Sequence, residues 1–509
     1  MTTTNSASFS YLSTAGNRFT GLASGMDIDS IVEKLMKAES AKMEKLQQQK
    51  QKYEWQRDSY RDVNRKLESF RTDAFDKYKP STFLSKSASV SDSSKMSVTA
   101  GTSASGSLSI TDATLAQSAN KVSGKTILGS DKLADLNISN SSGEVKVNVI
   151  QKDGTLKETT IKFDPNNDTV DDFVKKINSS GAGLTAVVSN GKMSLTANAT
   201  GNKDGVSMEV VKDGSGSPSS NVFEELGLAS NTGVIDSVGK NAEYTVNGIT
   251  KESTSNTFDE AGYSITLNKE FTGAVSISST TDTDAVVNQV KSFVDLYNGL
   301  IGSLNSSINE KKNYNFPPLT DAERAGMSED EIKKWEEKAK QGILRNDNAI
   351  SSVVSNMRSA IYSIGTDKDG QYNALYKIGI TTSREYKDGG KLVIDEKKLK
   401  EAIEANPEAV ADLFSRSEGA NGATDKGGLI TQLRNEAKTA VDSIAKKAGK
   451  EGAVETTFAL GKNIISVESK IKDWQTKLKA IEERYFKQFS AMESAIQKAN
   501  SQSSMFMQG

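Results

Sequence analysis

Cysteine and histidine are both absent from the 509 residues. Without cysteine there is no thiolate nucleophile, no disulfide and no thiolate zinc site. Without histidine there is no imidazole base, no Ser-His-Asp triad and no imidazole metal ligand. Only carboxylate, lysine, tyrosine or hydroxyl chemistry survives. Proline is scarce, six in the chain, so helices and strands meet few forced breaks. No run approaches about 18 consecutive apolar residues, so no membrane span is expected. The opening MTTTNSASFSYLSTAGNRF has no apolar core, and its first charged side chain is Arg18. A cleavable secretory signal is therefore not expected, and an exported chain would need another route. An excess of either charge is lacking too: 64 Lys+Arg stand against 66 Asp+Glu. That balance argues against general nucleic-acid binding.

What remains is a long chain of moderate polarity. Apolar residues make up 35% and charged residues 26%. That is too apolar for a disordered polymer and lean for one large globule. At roughly 150 residues per domain, the length suggests about three to four domains. No stretch has the phosphate-loop pattern, and Gly-Ser-Gly-Ser at 214–217 lacks a strand-helix context. Asp367-Lys368-Asp369-Gly370 resembles the start of a calcium loop without the later acids. Asp282 and Asp284 read as helix caps as readily as cation ligands. Acids are abundant, but nothing marks one catalytic pair. No catalytic residue, cofactor site or metal ligand is assigned, and the chain reads as something other than an enzyme.

The chain divides by texture. A first helix is expected near Asp29 or Ser30, where Ser30 and Glu33 fit a capping box. No proline follows until Pro80, and a helix over 30–78 would span roughly 75 Å. Steps of three and four join Tyr60, Val63, Leu67, Phe70 and Ala74, a seam for a facing helix. Traced backward, that register meets Tyr53 and Leu46 but also Gln49, Lys42 and Glu39. Residues 40–59 therefore read as a solvated face.

From about 81 to 282 the period changes to two. Val145, Val147 and Val149 alternate, as do Leu108 and Ile110. Asn190-Gly191 and Asn247-Gly248 signal hairpin turns. One helix is expected at 168–178, capped by Asp168 or Thr169. Helical spacing returns from Val286 to Leu304. Ser328 and Glu331 make a second capping box. Tyr376, Ile378 and Ile380 suggest one strand, Leu392 and Ile394 its partner, and Asp395 and Asn406-Pro407 two further helix starts. The last segment is the most regular. Ile464, Val467, Ile471, Trp474, Leu478, Ile481, Tyr485, Met492 and Ala495 keep the three-four alternation of a coiled coil. Such a helix is marginal alone and orders against other helices. Two terminal seams around a sheet-rich middle predict first and last helices that are antiparallel neighbours.

Read in order, several blocks resemble the flagellar filament cap family, the hook-associated protein 2 family. They are FTGLASGMDIDSIVEKLM (19–36), SLSITDATLAQSANK (107–121), YTVNGI (244–249), SFVDLYNGLI (292–301), GILRNDNAI (342–350), YKIGITTS (376–383), LVIDEKKLKEAIEANPEAVADLF (392–414) and RYFKQFSAMESAIQKANSQSSM (484–505). The resemblance implies an α+β, multidomain fold. Terminal coiled-coil legs (1–45 and 463–509) join a helical stalk (46–80 and 283–462). An inner β-rich head domain (81–130 and 240–282) carries an inserted outer one (131–239). It further implies a homo-oligomer of about four to six subunits at the filament tip, which helps exported flagellin fold and insert. Its implied partners are flagellin, the hook-filament junction proteins and an export chaperone that holds the C-terminal helix. That chaperone and assembly seam would be Ile471, Trp474, Leu478, Ile481, Tyr485 and Met492. Phe19, Leu22, Met26 and Ile28 are the candidates for the leg tip. Two rival readings stand beside it. One is another axial protein, flagellin or a junction protein; the other is an adhesin whose head binds host mucin or glycans.

Overall fold

The structure, a computed structural model, describes residues 25–138, 143–364, 372–420 and 425–507. Phe19, Leu22 and the calcium-loop-like stretch 367–370 lie outside the described residues. The fold is α+β. The chain divides into a helical unit from residues 1–83 and 283–509 and a β-rich unit of residues 84–282.

Helix α1 (Ile28–Asp76) runs unbroken for 49 residues. Its cap is Asp27, whose carboxylate accepts from the Ser30 amide at 3.1 Å. The helix thus starts ahead of the expected Ser30 box, because a carboxylate at the N-cap satisfies free amides and suits the positive dipole end. In the β-rich unit follow β1 (Lys86–Val90), β2 (Met96–Ala100), β3 (Leu108–Thr114), β4 (Ser118–Val122), β5 (Glu144–Ile150), β6 (Leu156–Lys162), α2 (Val170–Ser179), β7 (Leu184–Ser189) and β8 (Lys192–Thr200). Then come β9 (Met208–Val210), α3 (Val222–Glu225), β10 (Ala242–Val246), β11 (Ile249–Ser253), β12 (Thr257–Glu260), β13 (Tyr263–Leu267) and β14 (Val275–Thr281).

These strands pair antiparallel, in the orders β1-β14-β3-β10-β11, β12-β13-β2, β4-β8-β7 and β6-β5-β9. Side chains alternate across a strand, so Val145, Val147 and Val149 all point inward and are buried. Both Asn-Gly pairs close hairpins, β7–β8 and β10–β11, with positive φ at both residues, as a type I′ turn requires. Helix α2 is capped by Thr169, which exchanges bonds with Asp172. Two separate cores result. One gathers Val147, Phe173, Leu195 and Phe223; the other Ile110, Tyr263, Ile265 and Ile277.

The helical unit continues with α4 (Thr283–Asn309), α5 (Asp321–Ala325), α6 (Glu329–Lys340), α7 (Asn348–Tyr362), β15 (Ile380–Thr382), β16 (Leu392–Ile394), α8 (Glu396–Ala405), α9 (Pro407–Ser415), α10 (Leu429–Ala448) and α11 (Ala459–Met507). Helix α1 packs on both α10 and α11. Two expectations need correction. Tyr376 and Ile378 belong to a 3-10 turn ended by Gly379 at φ 84°, and only Ile380–Thr382 is strand. Periodicity alone does not separate so short an apolar run from a turn of helix. Nor are residues 40–59 a solvated face: Ser40, Met43 and Trp55 are buried. The cover comes partly from the α4–α6 connection. Gln48 donates to the Pro318 carbonyl at 2.8 Å, and the Lys340 ammonium stands 5.3 Å from the Trp55 ring centre.

Candidate assembly site

The lower part of α1 and the middle of α11 form a hydrophobic cluster of their own. Ile28, Val32, Met36 and Met43 are buried in it beside Leu478, which is 1% exposed. Ile471, Trp474, Ile481, Tyr485, Phe486 and Phe489 pack against it half-buried. Spacings of four, four, four and three join Ile28, Val32, Met36, Ser40 and Met43. The rim shows the direction of the pair. Lys50 bonds Glu468 at 2.8 Å, the Lys42 ammonium lies 5.3 Å from the Trp474 ring, and the Tyr485 hydroxyl sits 3.5 Å from a Glu39 carboxylate oxygen. As α1 runs down in number α11 runs up, so the two are antiparallel.

Five of the six C-terminal seam residues are thus brought together. Met492 is half-buried outside the cluster. Of the leg-tip candidates, Ile28 is buried in it, while Met26 is 37% exposed. Val32, Met36 and Met43 escaped the sequence reading. Their steps of three and four from Ile28 were the available signal.

The upper seam has a different partner. Tyr60, Val63, Leu67, Phe70 and Ala74 are all buried. Asn64 donates to the Val441 carbonyl and Arg61 to that of Ala448, both at 3.2 Å, which ties this stretch to α10. Asp347 joins three helices at one carboxylate. One oxygen accepts from the Ala349 and Ile350 amides and caps α7. The other accepts from the Tyr60 hydroxyl and from Lys447, the latter at 3.1 Å. Burial by itself pushes this carboxyl up. The Tyr60 hydroxyl, the Ile350 amide and the Lys447 ammonium outweigh that and hold it below the usual carboxylate range. Burial, and then the facing carboxylate, push the Tyr60 phenol up.

Among the described residues, no group of three acids is placed to hold a metal ion. Asp284 is engaged by Lys400 at 2.7 Å. No helix among the described residues is long and apolar enough to cross a membrane. What the arrangement offers is helix pairing: a firmly tied upper half of α1 and a lower half held by α11.

A long terminal helix pair in one unit and several antiparallel sheets in the other define an α+β multidomain class. Known proteins with this architecture narrow the class. The model of the flagellar hook-associated protein 2 C-terminus matches residues 239–501, and that of the N-terminus matches 24–119. The flagellar hook-associated protein 2 of Halalkalibacterium halodurans is 29% identical, over 95% of this chain and 98% of its own. That of Escherichia coli K12 is 26% identical, over 96% and 97%. The crystal structure of the D1-D2-D3 domains of the Escherichia coli flagellar cap protein FliD shares the fold. Its TM-score is 0.53 at 23% identity, over 76% of this chain and 99% of that one. The chain belongs to the flagellar hook-associated protein 2 family. This is a structural, non-enzymatic family, and the function it carries is that of the flagellar filament cap, an oligomer at the extracellular tip of the filament.

Proposed function

We propose that this chain promotes the folding and insertion of exported flagellin beneath an oligomeric cap and prevents its loss. On this reading the α1–α11 pair forms the part that engages and releases neighbours. The supporting observation is the separate apolar cluster around Leu478, held apart from the seam that α10 covers. A cluster of that size opens at lower free energy than a main core. The same face of α11 (Ile471, Trp474, Leu478, Ile481, Tyr485, with Met492 beyond) would be held by an export chaperone before secretion. Phe19, Leu22, Met26 and Ile28 would meet filament or junction subunits. We further propose about four to six subunits, export without a cleavable signal, and the four-part division into legs, stalk, inner head and outer head.

Leu478→Asp and Ile481→Asp test this reading. Each puts a charge into an apolar cluster. Each is expected to abolish swimming in a strain relying on the variant, while circular dichroism shows the β-rich unit folded. Normal swimming in both strains would refute the role of the pair.

A further inference from the structure

We propose that neighbouring copies of this chain join head-to-tail through the helical unit. A face made by Phe75, Arg434 and Lys438 on one copy would receive the acidic α8–α9 corner of the next, Glu401, Glu404 and Glu408. The proposal rests on the oligomeric cap reading and names the contact that would build it.

The receiving face sets an exposed aromatic ring beside an arginine. Phe75, in the last turn of α1, is 57% exposed. The Arg434 guanidinium lies 4.5 Å from its ring centre. Arg434 Nε is out of solvent with no hydrogen-bond partner, and among the described residues the guanidinium has no ion pair. Some arginines of this unit meet carboxylates (Arg57 with Glu455 at 3.1 Å, Arg71 with Glu68 at 2.5 Å, Arg416 with Asp425 at 3.0 Å), and others, such as Arg345 and Arg358, make no ion pair among the described residues. Lys438, one turn further along α10, is exposed and without an ion pair among the described residues. Burial, and then Arg71, draw the Arg434 pKa down against a smaller pull from Asp76. An added carboxylate would be favoured there. An aromatic ring paired with arginine is also the composition of interface anchors.

The complementary face lies at the same end of the unit. Glu401, Glu404 and Glu408 are exposed and make no ion pair among the described residues. Helix α8 is tied to the first turns of α4 by Lys291–Glu396 at 2.8 Å and Lys400–Asp284 at 2.7 Å. Gln289, in those same turns, donates to the Lys77 carbonyl at 2.7 Å, immediately after α1. Phe414 of α9 stacks on Phe83 at 5.2 Å. Phe75 and the α8–α9 corner therefore both lie towards the end of the unit where α1 finishes and α4 begins. Their elements differ: Arg434 and Lys438 stand on α10, which packs on α1, α7 and α9, and the glutamates stand on α8 and α9, of which α8 packs on α4. Two unlike patches that meet make a heterologous contact, which closes into a ring where the rotation between copies allows. Self-pairing of either patch would set like charges together.

The test uses the full-length chain, with oligomer mass measured over a concentration series. Arg434→Glu and Glu404→Lys should each raise the concentration of half-assembly roughly tenfold or more, with unchanged circular dichroism. Phe75→Ala should act the same way without altering charge. Combining Arg434→Glu with Glu404→Lys in one chain restores opposite charges across the contact, and should recover assembly. Wild-type assembly with unaffected single variants would overturn this contact alone. So would a double variant no better than the singles. A wild-type chain that stays monomeric throughout would overturn the contact and the oligomeric reading together.

Discussion

One carboxylate holds the upper half of α1 in place. Asp347 caps α7 and receives Tyr60 from α1 and Lys447 from α10. Asp347→Asn is expected to lower unfolding stability at neutral pH by about 1.5–3 kcal/mol, the range for hydrogen bonds to a charged group. The folded carboxyl is held below its usual range, so its contribution is full above the unfolded value. It is lost as pH falls through the folded one. Thermal melts of wild type and Asp347→Asn should therefore differ at pH 7, begin to draw together only below about pH 4, and converge once the pH has passed the lowered folded value. A gap that persists in acid would assign the effect to shape rather than charge. Gly461 is a second sensitive position. A Cβ there would meet the Glu455 carbonyl oxygen at 2.1 Å. Gly461→Ala should cost about 1–3 kcal/mol as the first turn of α11 shifts, read from the denaturant midpoint. Neither role was legible in the sequence. Tyr60 could be read as a seam residue from its spacing. Its partner lies 287 positions away, and no local pattern announces a bond between distant segments.

The helices differ in how much of their packing the sequence discloses. Residues 464–485 of α11 kept one apolar stripe because a narrow, sustained face is all that a helix pair demands. Helix α1 serves several neighbours. Its upper stripe, Tyr60 to Ala74, advances by threes and fours, whereas Ile28 to Ser40 advance by fours. A helix of 3.6 residues per turn drifts away from a 3.5 repeat, so the stripe leaves the extrapolated register. Carried backward, that register meets Glu39 and Lys42, which points to a solvated face, and it passes over Ser40 and Met43. Trp55 was hidden because its cover comes from a separate connection near Lys340. Strand alternation at Val145–Val149 and both Asn-Gly turns were legible, since each follows from local geometry. Leu478→Ala is predicted to cost about 2–5 kcal/mol within its own cluster. Hydrogen exchange should then speed up over 28–43 and 471–489 and stay unchanged over 60–74. Uniform acceleration would mean that the two seams open as one.

At the scale of the whole chain, the two ends of the sequence meet in one helical unit, and the β-rich unit interrupts them. The proposed release and re-engagement of neighbours would need elements of unequal stability. Here the upper seam carries polar ties to α7 and α10, while the lower cluster has a surface ion pair and few large buried side chains. Exposed ion pairs such as Lys50–Glu468 add little on their own. Family membership decides between a cap and another axial protein, a choice that composition and periodicity alone left open. The most direct measurement is native-state hydrogen exchange on the full chain, free and then assembled at filament ends. In the free chain, amides of 28–43 and 471–489 should exchange roughly tenfold or more faster than those of 60–74, a gap of about 1.4 kcal/mol or more, and should slow on assembly. Equal, slow exchange of both regions in the free chain, unaltered by assembly, would contradict a cap that works through a loosely held helix pair.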